Sequence, residues 1–337
     1  MKRKTVRKRL HKTRKHHIRH LKVFFQKGSI TLYLLLAVII AGAFFLAGGI
    51  PSFNFSPTDN TPAGQPVLET PDPQRNDLQL KTLKFKGCTT TTAIDFLIDT
   101  SGSMGDNNKL TNLEQALTNF SKNFNDSTVT GLRRFSASPN YCNAPITERL
   151  VPIDFYSQNK TQFSSAVGNL CPSGGTNTRT AFAAELADMQ QMVTDQRFKD
   201  KNFNLIFLTD GIPEDHSFPL QGDCQQFVNS DFPVCTPYTQ PGSKPACRCF
   251  DSSQDPTANP QIAQQIQALK SLNGNNVHIY ALLVFDPVID APFKAKVDNM
   301  MTAIASTPQD YLQTTDPTQI SALYGQIAQK ICSSQTP

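Results

Sequence analysis

Apolar residues fall along this chain in short runs that switch between two periods. Ala93-Ile94-Asp95-Phe96-Leu97-Ile98 is a brief, nearly unbroken apolar run of strand length. From Lys109 to Phe124 the spacing changes, with Leu110, Leu113, Leu117 and Phe120 on one helical face. The switching continues to the end of the chain. Strands are predicted from Thr128 to Phe135, Leu150 to Phe155, Phe203 to Leu208, Val277 to Phe285, and near Tyr311-Leu312. Helices are predicted from Arg179 to Val193, Pro260 to Leu272, Lys294 to Ser306 and Thr318 to Ile331. Strands that alternate with helices argue for an α/β domain with a doubly wound, mostly parallel six-stranded sheet flanked by helices on both faces. The pattern places this domain at residues 85–335, with strand order 3-2-1-4-5-6 as the expected topology.

Ahead of the domain the pattern has no such alternation. Ser29 to Ile50 is a stretch of 22 residues without a charge, and about 20 apolar residues span a bilayer as a helix. Residues 29–50 are therefore read as one transmembrane helix, with the lipid bilayer as partner. Residues 51–84 carry six prolines between Pro51 and Pro73 among Asn, Thr, Asp and Gly, a composition that buries too little to fold and makes an extended linker.

Charge sharpens this division. The chain holds 32 Lys and Arg against 27 Asp and Glu. Residues 1–28 take 12 of those basic residues, with four His and no acid, which leaves 20 basic against 27 acidic residues in the remainder. A basic flank on one side of an apolar span sets orientation, so residues 1–28 are expected in the cytoplasm and the domain outside. Both the apolar region and its basic lead exceed a typical signal peptide, which favours an uncleaved anchor. With the span to explain the charge, nucleic acid is not needed as a partner for the head. All eight cysteines (Cys88, Cys142, Cys171, Cys224, Cys235, Cys247, Cys249 and Cys332) follow the span, an even count that reads as disulfides in an oxidising compartment. Cys88 and Cys332 flank the domain and are expected to pair. Cys142 and Cys171 then remain as a second pair, and the other four pair among themselves, with Cys247 and Cys249 too close to join each other.

The chemistry gathers at three strand ends and turns. Asp99-Thr100-Ser101-Gly102-Ser103-Met104 follows the first strand, Leu208-Thr209-Asp210-Gly211 closes the fourth, and Gly174-Gly175-Thr176-Asn177-Thr178 opens a helix between them. Strands 1 and 4 are neighbours at the switch point of the expected topology, where diverging loops leave a crevice. Two carboxylates and three hydroxyls meeting there form an all-oxygen set suited to a hard cation, Mg²⁺ above all, with Mn²⁺ or Ca²⁺ as alternatives.

On these residues the chain resembles the von Willebrand factor A (vWA) family, whose signature is Asp-x-Ser-x-Ser with a distant Thr and a distant Asp. The resemblance spans residues 88 to about 332, including Pro308 to Leu312 and the closing helix. It implies a metal-ion-dependent adhesion site in which Ser101, Ser103 and Thr176 offer hydroxyl oxygens, while Asp99 and Asp210 act directly or through water. It also implies a protein partner that presents a carboxylate to the metal. A short span before such a domain is similar to Tad-type pilus-assembly proteins, with Lys27-Gly28-Ser29-Ile30 as the membrane entry. The 28-residue basic head and Tyr33, where such entry helices carry an acid, depart from that pattern.

Enzyme readings find less support. Ser101 stands where a phosphotransfer site wants a second carboxylate, and where a Gly-x-Ser-x-Gly elbow wants its first glycine. A metal-dependent hydrolase ranks last, because no general base is apparent. His278 reads as a core residue of its strand, and His216 as a loop histidine near the site. The stretch 213–258 is far longer than the usual strand-to-helix connection. Holding Cys224, Cys235, Cys247 and Cys249 and leaving from the metal face, it is expected to form a disulfide-stapled lid. Asp95, an acid inside an apolar strand, is expected to pair with Arg133 or Arg134 of the neighbouring strand.

Overall fold

The computed structural model describes residues 87–137, 142, 145–214, 217–219, 223–238, 245–274, 277–288 and 290–333. The basic segment 1–28, the apolar segment 29–50, the linker 51–84 and His216 lie outside the described residues. Among the described residues no helix is long and apolar enough to cross a membrane.

Every residue of β1 (Thr92–Asp99) is buried, because β1 runs through the middle of the sheet. In chain order the strands are β1, β2 (Val129–Phe135), β3 (Thr147–Phe155), β4 (Asn202–Thr209), β5 (Ser217–Pro219), β6 (Cys235–Tyr238), β7 (Ala246–Cys249), β8 (His278–Val284) and β9 (Tyr311–Thr314). The helices are α1 (Lys109–Ser121), α2 (Tyr156–Val167), α3 (Thr178–Thr194), α4 (Pro260–Lys270), α5 (Lys294–Ile304) and α6 (Ile320–Ser333). The main sheet has six strands in the order β3-β2-β1-β4-β8-β9. All its pairings are parallel except β2 with β3, so the architecture is a mostly parallel α/β sheet flanked by helices, as expected of a vWA-like fold. The antiparallel pairing of the edge strand β3 is consistent with the mostly parallel sheet expected.

Side chains alternate along each strand, and β1 feeds two cores. Ile94, Phe96 and Ile98 pack with Leu113, Leu117 and Phe120 of α1, Phe163 of α2, and Tyr324 and Ile327 of α6. Phe96 lies 5.7 Å from both Phe120 and Phe163 by ring centroid. Ala93 and Leu97 face the other way, toward Phe182 and Met189 of α3, Ile262 and Ile266 of α4, and Val297 and Met301 of α5. Helix α2 was not legible from the sequence. Its buried residues Tyr156, Asn159, Phe163 and Val167 do recur at helical spacing, but Ser, Gln and Thr separate them and keep the run polar.

Asp95 shares the second face, and its partner differs from the expected one. Arg149 of β3 reaches it, with Nη1 donating to Oδ1 at 2.7 Å and to Oδ2 at 2.6 Å. Arg133 turns to Glu185 and Asp188 of α3, and Arg134 to Glu148. The cause lies in β2, where Gly131 stands opposite Asp95. A Cβ at position 131 would come within 2.7 Å of Asp95 Oδ1 and 3.1 Å of Arg149 Nη1. Only a glycine leaves room for a guanidinium to cross the strand.

Disulfides join Cys88 to Cys332, Cys142 to Cys171, Cys224 to Cys247 and Cys235 to Cys249. The first fastens the segment before β1 to α6. The last two staple a small antiparallel sheet, ordered β5-β7-β6, inside the insertion. Its core is the four buried cysteines with Phe218, Phe227 and Phe232 packed around them.

Candidate metal centre

The carboxyl ends of β1 and β4 lie side by side, and the fold delivers Asp99 and Asp210 there, both buried. Asp99 ends β1 and stays extended enough to meet the loop that follows. Its Oδ1 accepts from Ser101 N at 2.7 Å, and its Oδ2 accepts from Thr209 Oγ1 at 2.6 Å. Ser101 begins a 3-10 turn, Gly102–Asn108, that folds the chain back so that Ser101 Oγ and Ser103 Oγ lie 3.1 Å apart. Ser103 Oγ donates to Asp210 Oδ1 at 2.8 Å. Asn107 and Asn108 then take left-handed backbone angles, φ 52° and 58°, which turns the chain into α1.

The third segment is tied to both loops by its backbone. Ser173 N donates to Thr100 O and Gly102 N to Gly174 O, each at 2.7 Å. Thr176 N donates to Glu214 O at 2.5 Å, and Glu214 N to Thr176 O at 3.1 Å, so buried Thr176 is clamped beside the loop leaving Asp210. Position 175 has to be glycine for this approach, because a Cβ would meet Glu214 O at 2.1 Å. Asp99, Ser101, Ser103 and Asp210 thus form one hydrogen-bonded cluster, and Thr176 joins it through its loop.

The electrostatics match a cation site. Burial, then the charge of Asp210, raises the Asp99 carboxyl to about 7, against partial relief from Thr209 and Ser101. Asp210 is paired with one ammonium, that of Lys109, while Asp99 accepts from a backbone N–H and a hydroxyl. Among the described residues no group of three or more His, Cys, Asp or Glu side chains is assembled for a metal, so the hydroxyls are needed to complete any shell. The donors present fit a hard divalent ion. Ser101, Ser103 and Thr176 would offer hydroxyl oxygens, and Asp210 a carboxylate. Asp99, like Asp210, accepts on both carboxylate oxygens, so either would act directly or through water. When bound, such an ion would supply a positive centre for an incoming carboxylate.

Several residues around the site were missed in the sequence. Lys109, the first residue of α1, is buried and donates from Nζ to Asp210 Oδ2 at 2.7 Å. Burial opposes its charge, but Asp210 and then Asp290 hold the ammonium above the usual lysine range. A cation at a helix amino end opposes the helix dipole, and that misfit was the available signal. Arg248 of β7 is buried and donates to Glu214 Oε2 at 2.8 Å and Asp290 Oδ1 at 2.7 Å. Burial raises Asp290 to about 6 despite Arg248, and it raises Glu214 in the same way. Tyr238 of β6 donates from its hydroxyl to Asp106 at 3.3 Å. The insertion therefore touches the loops that form the site, through residues that carry no motif. His278 is not a core residue: its side chain is 41% exposed, with Nε2 2.9 Å from Asp310 Oδ2 at the opposite end of the sheet.

Residues 94–230 match the family model of the von Willebrand factor type A domain. No curated protein matches the chain. Among solved structures, the chain is similar to the pilus adhesin SpaC from Lactobacillus rhamnosus GG, at 20% identity and TM-score 0.49, covering 74% of this chain and 31% of that one. It is similar to the vWF domain of the type V pili tip protein Mfa5 from Porphyromonas gingivalis, at 16% identity and TM-score 0.47, covering 73% and 97%. It is also similar to proximal thread matrix protein 1 from the mussel byssus with a zinc-occupied MIDAS motif, at 15% identity and TM-score 0.46, covering 73% and 49%. The chain thus spans about a third of SpaC and about half of the mussel protein.

Proposed function

We propose that residues 85–335 form a divalent-cation-dependent protein-recognition module, and that residues 29–50 hold it on the outer side of a membrane. The observation that carries the first part is the closed oxygen cluster at the ends of β1 and β4. Ser103 Oγ sits between Ser101 Oγ and Asp210 Oδ1, at 3.1 and 2.8 Å, with Asp99 behind it. The hydroxyls bond to one another and to Asp210, whose other oxygen is already held by the Lys109 ammonium, which supports a binding role over a catalytic one. The cation, Mg²⁺ by the hardness of its donors, would be shared with a carboxylate of the partner protein. The match of residues 94–230 to the vWA model supports the same reading. For the tether, the support is the uncharged 22-residue stretch and its one-sided basic flank.

A capture assay tests the module. The full-length chain is incubated with a candidate protein partner in Mg²⁺, in a chelator, and as Asp99→Ala. Binding is expected in the first case alone. Binding that persists through chelation and Asp99→Ala would remove the metal from the account, and metal-dependent turnover of an ester or phosphate would replace the binding role with a catalytic one. Carbonate washing of membranes from cells that make the chain tests the tether, which predicts that the chain stays with the lipid.

A further inference from the structure

We infer that Lys109 is a built-in cation that occupies the Asp210 carboxylate in the metal-free chain and must leave it when a divalent ion binds. This rests on the reading of Asp99, Ser101, Ser103, Thr176 and Asp210 as a metal centre.

The geometry is direct. Lys109 Nζ lies 2.7 Å from Asp210 Oδ2, the oxygen that Ser103 leaves free, and among the described residues it otherwise donates to Ser103 O at 3.4 Å. Both side chains of the pair are nearly inaccessible, at 5% and 1%. In so dry a setting an ammonium and a divalent ion cannot share one carboxylate without strong repulsion. The second cation beside the site is differently placed. Arg248 is anchored by two carboxylates, Glu214 and Asp290, neither of them in the oxygen cluster. Among the cations of the described residues, Lys109 is the one that stands on an oxygen of the cluster, held by one short bond and one long one. It also explains how a buried Asp210 is tolerated without metal, since an unpaired buried charge is strongly destabilising. Lys109 thus sets the affinity of the centre: it keeps the empty site folded and raises the cation concentration needed to fill it.

Removing the ammonium should therefore tighten metal binding. Calorimetric titration of the full-length chain with Mn²⁺ alone, and with Mg²⁺ alone, compares the parent with Lys109→Met and Lys109→Gln. At least a tenfold lower Kd is expected in both variants, equivalent to about 1.4 kcal/mol. Without metal both variants should melt below the parent, and added Mn²⁺ should narrow that gap. Equal or weaker affinity in both variants, with the parent binding normally, would overturn the role of Lys109 and leave the metal centre standing. If no chain binds either ion, the metal reading fails and this inference with it. A measurement on the parent alone covers variants that do not fold. Mass spectrometry after amine labelling should show Lys109 becoming more reactive as Mn²⁺ is added, and unchanged reactivity in the metal-loaded chain would also overturn the proposal.

Discussion

If Arg149 crosses β2 only because position 131 has no side chain, one added methyl should undo a buried charge network. Gly131→Ala is the smallest such perturbation. The new Cβ would lie 2.7 Å from both Asp95 Oδ1 and Ile153 Cγ1, and 3.1 Å from Arg149 Nη1. None of these has slack, because Asp95 is 1% exposed and Ile153 is buried. Either β3 shifts outward, at the roughly 1–3 kcal/mol typical of overpacking, or Arg149 withdraws and leaves Asp95 unpaired, at roughly 3–5 kcal/mol. The cheaper response sets the cost, so a loss of about 1–3 kcal/mol is expected, a large part of the roughly 5–15 kcal/mol that holds a domain together. Urea denaturation of the full-length chain measures it. Gly325→Ala is the matched control, because nothing lies within 4 Å of a Cβ there, inside α6. It should stabilise by roughly 0.5–1 kcal/mol. In an Arg149→Met background the effect of Gly131→Ala should shrink by more than about 0.5 kcal/mol, since contacting sites couple. A Gly131→Ala loss below about 1 kcal/mol, or full additivity with Arg149→Met, would refute the crossing as the reason for the glycine.

Glu185, between Arg133 and Arg149, has its carboxyl raised well above the ordinary range by burial and by Asp95, against the pull of Arg149. A raised acid stabilises the fold fully below its unfolded pKa and loses that contribution as pH rises through the folded value. Measured from pH 4 upward, the stability of the parent relative to Glu185→Gln should therefore fall with pH, and a flat difference would count against the buried proton. Tyr324 is buried, and its hydroxyl has no hydrogen-bond partner among the described residues, so Tyr324→Phe should raise stability by roughly 1 kcal/mol in the same denaturation experiment. Cys88→Ser with Cys332→Ser opens a loop of sequence separation 244 and should lower stability by roughly 2–5 kcal/mol, whereas a chain that unfolds at the same urea concentration would mean the clasp constrains nothing.

Much of the fold was legible because its evidence is local. Ile94, Phe96 and Ile98 declare a strand by themselves, and the three site segments end strands or open a helix that periodicity alone can place. The five residues expected as oxygen donors came from those ends and from the resemblance, and Asp99, Ser101, Ser103 and Asp210 are joined by hydrogen bonds. What escaped the sequence depends on distance. Arg149 was not identified as the partner of Asp95 because it lies two strands away, reachable only past a glycine whose importance appears once β2 and β1 are in register. Helix α2 hid behind a polar composition, and the insertion strands behind their brevity, each being three or four residues. Lys109 was visible as a basic residue at the amino end of a predicted helix. Its contact with Asp210 depends on β1 and β4 lying side by side, which no local pattern in the sequence shows.

The insertion bears on the site through a path that can be followed atom by atom. Arg248 belongs to β7, directly beside Cys247 and Cys249, which are disulfide-bonded to Cys224 and Cys235. Its guanidinium holds the Glu214 side chain, while the Glu214 backbone holds both the N–H and the carbonyl of Thr176. A second arm of the same guanidinium holds Asp290, whose charge also acts on Lys109. Thus the staples fix the strand, the strand fixes Arg248, and Arg248 holds Glu214, whose backbone clamps Thr176. A surface loop with no role in the site would need no buried arginine, and burying one is costly unless its partners are fixed too. Glu214 is held by its backbone pairing with Thr176, and Asp290 by its place at the amino end of the 3-10 turn Ala291–Phe293 that leads into α5. The insertion is better understood as a wall of the candidate site than as an ornament on the fold.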